Sequence, residues 1–432
     1  MVINMKTCEI ISVGTELLLG DIINTDAAYI SKRLADIGVP LYRQSVVGDN
    51  AERLRECLNS ALMRSDIVIM TGGLGPTCDD ITKVVTAELF SLPLEENKAV
   101  RCSIEKYFED IGRTMTENNL SQAMIPKGAD ILKNNHGTAP GVLICGKIGG
   151  SDSEKTVIML PGPPKELEPM FEESVMPRLE AMSPNVFFSL NLHLYGIGES
   201  AAESILRPIM EESTNPTVAP YACEAEVRIR ITAKGDSRAE CVKLCYSMAQ
   251  KIRGGEAGEY IFAESTSDGD YSETMVRRAI DLLREKKLTV GTAESCTAGM
   301  ISSRIADIPG SSDVLCGGIV SYSNEVKINV LGVQADIIEK FGAVSEQCAS
   351  AMAEGARRIL GCDIAVSVTG IAGPSGGTPE KPVGTVCFGI SDAAGTETET
   401  RHFGSLSDRG KIRRLTTSTA LMKIIERIST KK

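Results

Sequence analysis

Tryptophan is absent from this 432-residue chain, and aromatic residues make up only 4% of it. Proteins that stack on unpaired bases need such rings, so single-stranded nucleic acid has few partners here. A basic excess is missing too. The formal net charge is −11, whereas a nonspecific DNA binder needs a basic face. Only the C-terminal segment is rich in Lys and Arg. No uninterrupted apolar run approaches the ~18 residues of a membrane span, and Met1 to Ile10 lacks the apolar core of a signal peptide. The thirteen cysteines include no Cys-x-x-Cys, and no second pair joins Cys241 and Cys245 to complete a zinc site. An odd, dispersed set fits reduced thiols, so the expected compartment is the cytoplasm. Histidine is nearly missing: His136, His193 and His402 are the whole supply.

What is present reads as an ordinary water-facing chain, 42% apolar and 24% charged. One core rarely serves more than ~250–300 residues, so two or three domains are expected. In residues 1–175, strands at Cys8–Val13, Val39–Val47, Asp66–Met70 and Lys155–Leu160 alternate with helices at Thr25–Ile37, Ala51–Met63 and Asp80–Phe90. That alternation predicts βαβ units and a mostly parallel sheet. Residues 185–255 read as a small α+β module, with strands at Val186–Tyr195 and Ala225–Ala233 and helices at Ser200–Met210 and Ser237–Arg253. Residues 256–270 are rich in Gly, Ser, Glu and Asp and read as a linker. Residues 271–432 return to the α/β pattern, with strands at Lys287–Gly291, Gly317–Ser321, Asp363–Thr369 and Val383–Ile390 and a long last helix at Asp408–Ile428.

In open α/β sheets, ligands bind beyond the carboxyl ends of strands. Thr71-Gly72-Gly73-Leu74-Gly75-Pro76-Thr77 occupies such an end, and Asp79 and Asp80 come at once after it. Glycines let backbone approach an anion, and carboxylates beside a phosphate suit a bridging divalent cation. A tight turn with an acidic helix start fits the same residues, and both readings stay open. Asp49 ends another strand and reads as a cap or a second acid.

The most informative stretch is Thr292-Ala293-Glu294-Ser295-Cys296-Thr297-Ala298-Gly299. A strand, a tight turn and a helix expose a small nucleophile beside helix N–H groups. Ser295 and Cys296 both stand where a nucleophile stands. Two further segments converge on the same place, Tyr322 to Lys327 and Thr369 to Gly377. His402 is the only histidine of this block, which argues against a charge-relay triad for Ser295. Lys327 is the alternative base, since a desolvated lysine loses its proton. Arg409 and Arg413, four apart at the start of the last helix, share a face; a phosphate-holding pair and a solvated pair both fit this spacing.

Gly14-Thr15-Glu16, Thr71 to Thr77 with Asp80-Ile81-Thr82, Gly137-Thr138-Ala139-Pro140-Gly141 and Leu160-Pro161-Gly162-Pro163-Pro164 together resemble the molybdopterin-binding-like domain of the competence/damage-inducible CinA family. Ala293 to Gly299, Tyr322-Ser323-Asn324 with Lys327, and Thr369 to Pro374 resemble that family's C-terminal domain, a nicotinamide mononucleotide deamidase. Position 298 departs from the family pattern, with Ala in place of the usual Gly. The resemblance implies two α/β domains joined by a small KH-like α+β domain. It implies a pyridine-nucleotide salvage hydrolase with two activities. The C-terminal domain deamidates nicotinamide mononucleotide, with Ser295 as nucleophile, Lys327 as base, and Tyr322, Thr369, Gly370, Gly373, Arg409 and Arg413 around the substrate; it needs no cofactor. The N-terminal domain cleaves ADP-ribose to AMP and ribose 5-phosphate, holding substrate at Gly14, Thr15, Glu16, Gly72, Gly73, Gly75 and Thr77. Asp80, Asp49 and Asp79 are its expected ligands for a divalent metal (Mg, Mn or Co). A homodimer is expected. The KH-like module lacks the Gly-x-x-Gly clamp of nucleic-acid binders at its nearest match, Gly196-Ile197-Gly198-Glu199. Two other readings stay open: a deamidase with a nucleotide- or pterin-binding N-terminal domain, and a non-enzymatic competence or recombination scaffold.

Overall fold

The computed structural model describes residues 6–148, 153–182, 186–266, 274–404 and 408–430. Two compact units account for them, residues 1–189 with 232–245, and residues 190–231 with 246–432. No helix among the described residues is long and apolar enough to cross a membrane.

The first unit carries strands β1 Cys8–Val13, β2 Leu41–Val47, β3 Ile67–Thr71, β4 Leu94–Glu96, β5 Met124–Pro126, β6 Asp130–Leu132, β7 Gly141–Gly146 and β8 Lys155–Leu160. Six of these form one sheet in the order β2-β1-β3-β8-β7-β6. Every residue of β1, β3 and β8 is buried, as near-continuous apolar runs covered on both faces must be. The first four strands run parallel, and β7 and β6 are antiparallel additions. Register aligns the strand ends: Ser12 lies opposite Thr71, and Thr71 opposite Leu160. The loops after β1, β3 and β8 therefore leave the sheet at one edge. Asn24 and Asn50 cap the helices Thr25–Asp36 and Ala51–Arg64 by accepting from Ala27 N and Arg53 N.

A four-stranded sheet comprises β9 Val186–Leu194, β10 Thr217–Cys223, β11 Glu226–Gly235 and β12 Ile261–Thr266, in the order β10-β11-β9-β12. The stretch expected as a linker contributes β12, which pairs antiparallel with β9, preceded by a 3₁₀ segment at Glu256–Tyr260. Its Gly and Glu content masked an edge strand, because an edge needs one packed face only.

The second unit holds β13 Val290–Glu294, β14 Leu315–Val320, β15 Ile364–Gly370, β16 Thr385–Asp392 and β17 Gly395–His402, in the order β14-β13-β15-β16-β17. The first three are parallel and the last two antiparallel, so this sheet is mixed. Helices Thr274–Lys286 and Arg409–Ser429 pack on one face through Val276, Ile280, Leu421 and Ile425. Helix Glu346–Leu360 covers the other through Cys348, Met352 and Ala356. The strand expected at Lys287–Gly291 begins at Val290 and runs on to Glu294. Thr292, Ala293 and Glu294 thus belong to the sheet and not to the turn. Glu294 lies opposite Val320 on one side and Val368 on the other, so the three expected loops emerge side by side.

Candidate active site

Two loop clusters stand at these strand ends, one in each unit. In the second unit, the turn after β13 is tight. Ala298 and Gly299 adopt φ +51° and +92°, left-handed values that strain Ala but suit Gly. The Ser295 amide donates to Val368 O at 3.0 Å and fixes the serine against β15.

Lys327, on the short helix Asn324–Asn329, is 1% exposed, and Ser295 is 8% exposed. Their Nζ and Oγ atoms lie 3.1 Å apart. Lys327 Nζ also donates to Ser321 O at 2.8 Å and Tyr322 O at 3.2 Å. A neutral amine has two N–H donors and one lone pair. The two carbonyls use the donors, which leaves the lone pair for the Ser295 hydroxyl proton. Burial lowers the Lys327 pKa below the usual lysine value, more than the neighbouring thiols Cys348 and Cys296 restore it.

Cys296 lacks the setting of a reactive thiol. Burial pushes its thiol up to about 12, whereas reactive cysteines are acidic and accessible.

Glu294, to which the motif gives no role, organises the turn. Its fully buried carboxylate accepts from Thr292 Oγ1, Thr297 Oγ1, Ile301 N, Ser302 N and Ser302 Oγ, at 2.7 to 3.1 Å. The helix N–H groups expected to face a substrate are thus taken at Ile301 and Ser302. Among the described residues, the amides of Cys296 and Thr297 make none of the turn's backbone bonds, in contrast to those of Ser295, Ala298 and Met300.

The remaining predicted residues divide. Tyr322 is exposed, and its hydroxyl accepts from Arg409 Nη2 at 3.1 Å, while Arg409 Nη1 donates to Gly373 O at 2.8 Å. Arg409 thereby ties two of the three loops together. Arg413 Nε and Nη2 donate to Cys296 O and Thr297 O at 3.1 and 2.7 Å. Its guanidinium clamps the turn that carries Ser295 from the last helix. Thr369 is buried with its hydroxyl donating to Ala343 O, which braces the strand end. Gly370 and Gly373 are held by close packing: an added Cβ would lie 2.7 Å from Val386 and from Val383 respectively.

In the first unit, a cavity of about 570 Å³ is lined by Gly14, Glu16, Asp26, Asp49, Gly72, Gly73, Gly75, Thr77, Asp79, Asp80 and Glu166, among others. Its volume suits a small ligand. Gly72 and Gly73 have φ +89° and +66°, and an added Cβ would lie 2.2 Å from Val13 O or from Thr82 Oγ1. The helix expected from Asp80 starts at Thr82. Asp80 folds back instead, accepting from Gly75 N at 2.7 Å and from Thr77 N and Oγ1 at 2.8 and 2.6 Å. Two N–H groups expected to cradle phosphate are thus taken by the chain's own carboxylate. Asp49 similarly accepts from Thr15 N and Oγ1, and the bond from Thr77 holds the Asp79 carboxyl below its usual range.

Among the described residues, no three His, Cys, Asp or Glu side chains are grouped to hold a metal. The three aspartates line one cavity as separate carboxylates. This donor set fits a hard cation that arrives with phosphate oxygens and water and needs only one or two protein ligands; it does not fit an all-protein cage. Sequence reasoning missed Asp26. Burial and the nearby Glu168 push its carboxyl up to about 6, and its buried Oδ1 has no partner among the described residues. Burial also raises Glu166, despite the bond from Asn134.

Comparison with known proteins agrees with this layout. Residues 9–181 match a family described as probable molybdopterin binding domain, 189–263 the damage-inducible protein CinA KH domain, and 272–428 the CinA C-terminal domain. The chain is 46% identical over 414 residues to the CinA-like protein of Dictyoglomus thermophilum, a match that covers 96% of this chain and 97% of that one. It is 47% identical over 405 residues to the CinA-like protein of Kosmotoga olearia, covering 94% and 95%. The crystal structure of the competence/damage inducible protein of Agrobacterium tumefaciens is 42% identical, spans 36% of this chain and 93% of its own, and has a TM-score of 0.35. The chain belongs to the competence/damage-inducible CinA family, with a molybdopterin-binding-like domain, a CinA KH domain and a CinA C-terminal domain in that order.

Proposed function

We propose that the C-terminal domain is an amidohydrolase that converts nicotinamide mononucleotide to nicotinic acid mononucleotide and ammonia. The observation that carries this reading is the buried 3.1 Å pairing of Ser295 Oγ with Lys327 Nζ. Ser295 attacks the carboxamide carbon while Lys327 takes its proton. The proton passes to the departing nitrogen, which leaves as ammonia. Water then cleaves the acyl-serine ester, with Lys327 again as base. The amides of Cys296 and Thr297 suit the developing oxyanion, since the residue after a nucleophile often supplies such a donor. Arg409, exposed beside Tyr322, is available to the substrate phosphate at the mouth of the site.

This mechanism needs the neutral amine. Because burial lowers the Lys327 pKa, the active form gains population as pH rises, with a midpoint below that of free lysine. Ammonia release from the pure chain should therefore climb with pH along one rising limb. The limb should vanish with the residual activity in Lys327→Arg, whose guanidinium cannot deprotonate. A flat profile in the unaltered chain would remove Lys327 as base. The same assay with a chelator present should give an unchanged rate.

For the N-terminal domain we propose metal-assisted cleavage of a nucleoside diphosphate ester, with ADP-ribose as the substrate giving AMP and ribose 5-phosphate. A divalent cation bound with the diphosphate supplies charge neutralisation, and Asp80, Asp49 and Asp79 are the carboxylates that would hold it. Asp26, with its pKa raised to about 6, is poised to take a proton from attacking water near neutral pH. Asp80→Ala should slow ADP-ribose cleavage by roughly 10–100-fold while ammonia release persists. If cleavage proceeds at the original rate, Asp80 has no part in this site.

A further inference from the structure

The middle sheet contains a second serine–base pairing that the proposed activities do not use. On β9, Leu190, Leu192 and Leu194 alternate with Asn191 and His193, and all five are buried. The strand thus carries an apolar face and a polar face, both out of water. His193 is 1% exposed. Its Nδ1 lies 3.0 Å from Glu226 Oε1 on β11, and its Nε2 lies 2.9 Å from Ser265 Oγ on β12. Ser265 pairs directly with Asn191, which places it on the same face as His193. With the ring proton on Nδ1 and donated to the Glu226 carboxylate, Nε2 accepts from the Ser265 hydroxyl. Nucleophile, base and orienting carboxylate then stand in one chain of hydrogen bonds across three neighbouring strands.

The serine is also reachable. Ser265 is half-buried and lines a cavity of about 790 Å³, within the range of small-molecule sites. Three arginines, Arg253, Arg277 and Arg278, line it against two acids, Glu264 and Asp281. Glu264 is paired with Arg253, and the named lining residues carry one more positive than negative side chain, three against two. β12 is the terminal strand of its sheet, and a terminal strand turns alternate N–H groups away from its neighbour. Such groups are donors for an oxyanion.

We propose that Ser265, His193 and Glu226 form a second acyl-transfer centre, separate from Ser295, that hydrolyses small carboxylic esters bearing an anionic group. Ser265 Oγ bonds to the ester carbon as His193 Nε2 takes its proton. The carbon–alkoxide bond breaks, and the leaving oxygen receives that proton. Water, deprotonated by the same nitrogen, then releases the carboxylic acid and restores the serine.

The test uses the full chain carrying Ser295→Ala, so that the other serine is silent, with a fluorophosphonate probe. An activated serine displaces fluoride and keeps the phosphonyl group; an ordinary serine does not react. Mass spectrometry of the digest should find the adduct on Ser265. The labelling rate should fall by at least ~100-fold in His193→Gln and clearly in Glu226→Gln. Hydrolysis of 4-nitrophenyl succinate should exceed that of 4-nitrophenyl acetate, and Arg278→Ala should narrow the difference. Absence of an adduct on Ser265 in the Ser295→Ala chain overturns the proposal. Because His193 is buried and its replacement risks the fold, Glu226→Gln is the second arm: labelling at an unchanged rate in that folded variant also overturns it.

Discussion

Ser295→Ala is expected to lower ammonia release from nicotinamide mononucleotide by ~10³-fold or more, leaving ADP-ribose cleavage as it was. The size comes from the role. A nucleophile has no substitute in its turn, and removing one member of a coupled nucleophile–base pair costs nearly as much as removing both. Lys327→Met should therefore match Ser295→Ala, and the double variant should be little worse than either. Independent roles would instead multiply. Cys296→Ala should keep most of the activity, because the thiol is held near a pKa of about 12 and packs as a small apolar group. A dead Cys296→Ala beside an active Ser295→Ala would reverse the assignment. Purified chains, one substrate and an ammonia readout suffice.

Glu294→Ala is expected to produce the largest loss of stability. The carboxylate is 0% exposed and receives five hydrogen bonds from its own strand, the turn and the next helix. Truncation leaves buried N–H and O–H donors without an acceptor, at about 3–5 kcal/mol for the set. Glu294→Gln should cost less, because one oxygen still accepts while the new NH₂ opposes the donors that met the other. Urea unfolding of the full chain, together with hydrogen exchange at Ile301 and Ser302, reads both effects. The order expected is Glu, then Gln, then Ala, with earlier exchange at those two amides. Equal transitions in all three chains would mean that the carboxylate does not hold the turn.

Much of this was legible from the chain alone, and the reasons differ by residue. The Ser295–Lys327 meeting was readable from strand ends, since parallel strands in register bring their loops to one edge. The buried runs of β1, β3 and β8 were plain because both faces are covered and every position except Glu9 and Lys155 is apolar or small. Glu294 and Asp80 were harder. A carboxylate at a strand end or in a turn looks solvent-directed until the donors around it are known, and donors three to eight positions away in an irregular segment carry no periodic signal. β17, with the sequence GTETETRH, alternates polar residues on an exposed edge and offers no apolar period to find. Spacing put Arg409 and Arg413 on one helix face and the family resemblance put them at the site, but their targets include backbone carbonyls, which no side-chain pattern announces.

The clamp from Arg413 onto Cys296 O and Thr297 O joins positions more than a hundred apart in sequence. Arg409 and Arg413 emerge from the ribosome after every strand of the sheet they serve. Until they do, the serine turn lacks its last restraint, so a nascent chain acquires the geometry of this loop cluster only after Arg413 has been made. Stalled or clipped products ending before Asp408 would then lack both ties to the serine turn and its neighbouring loops.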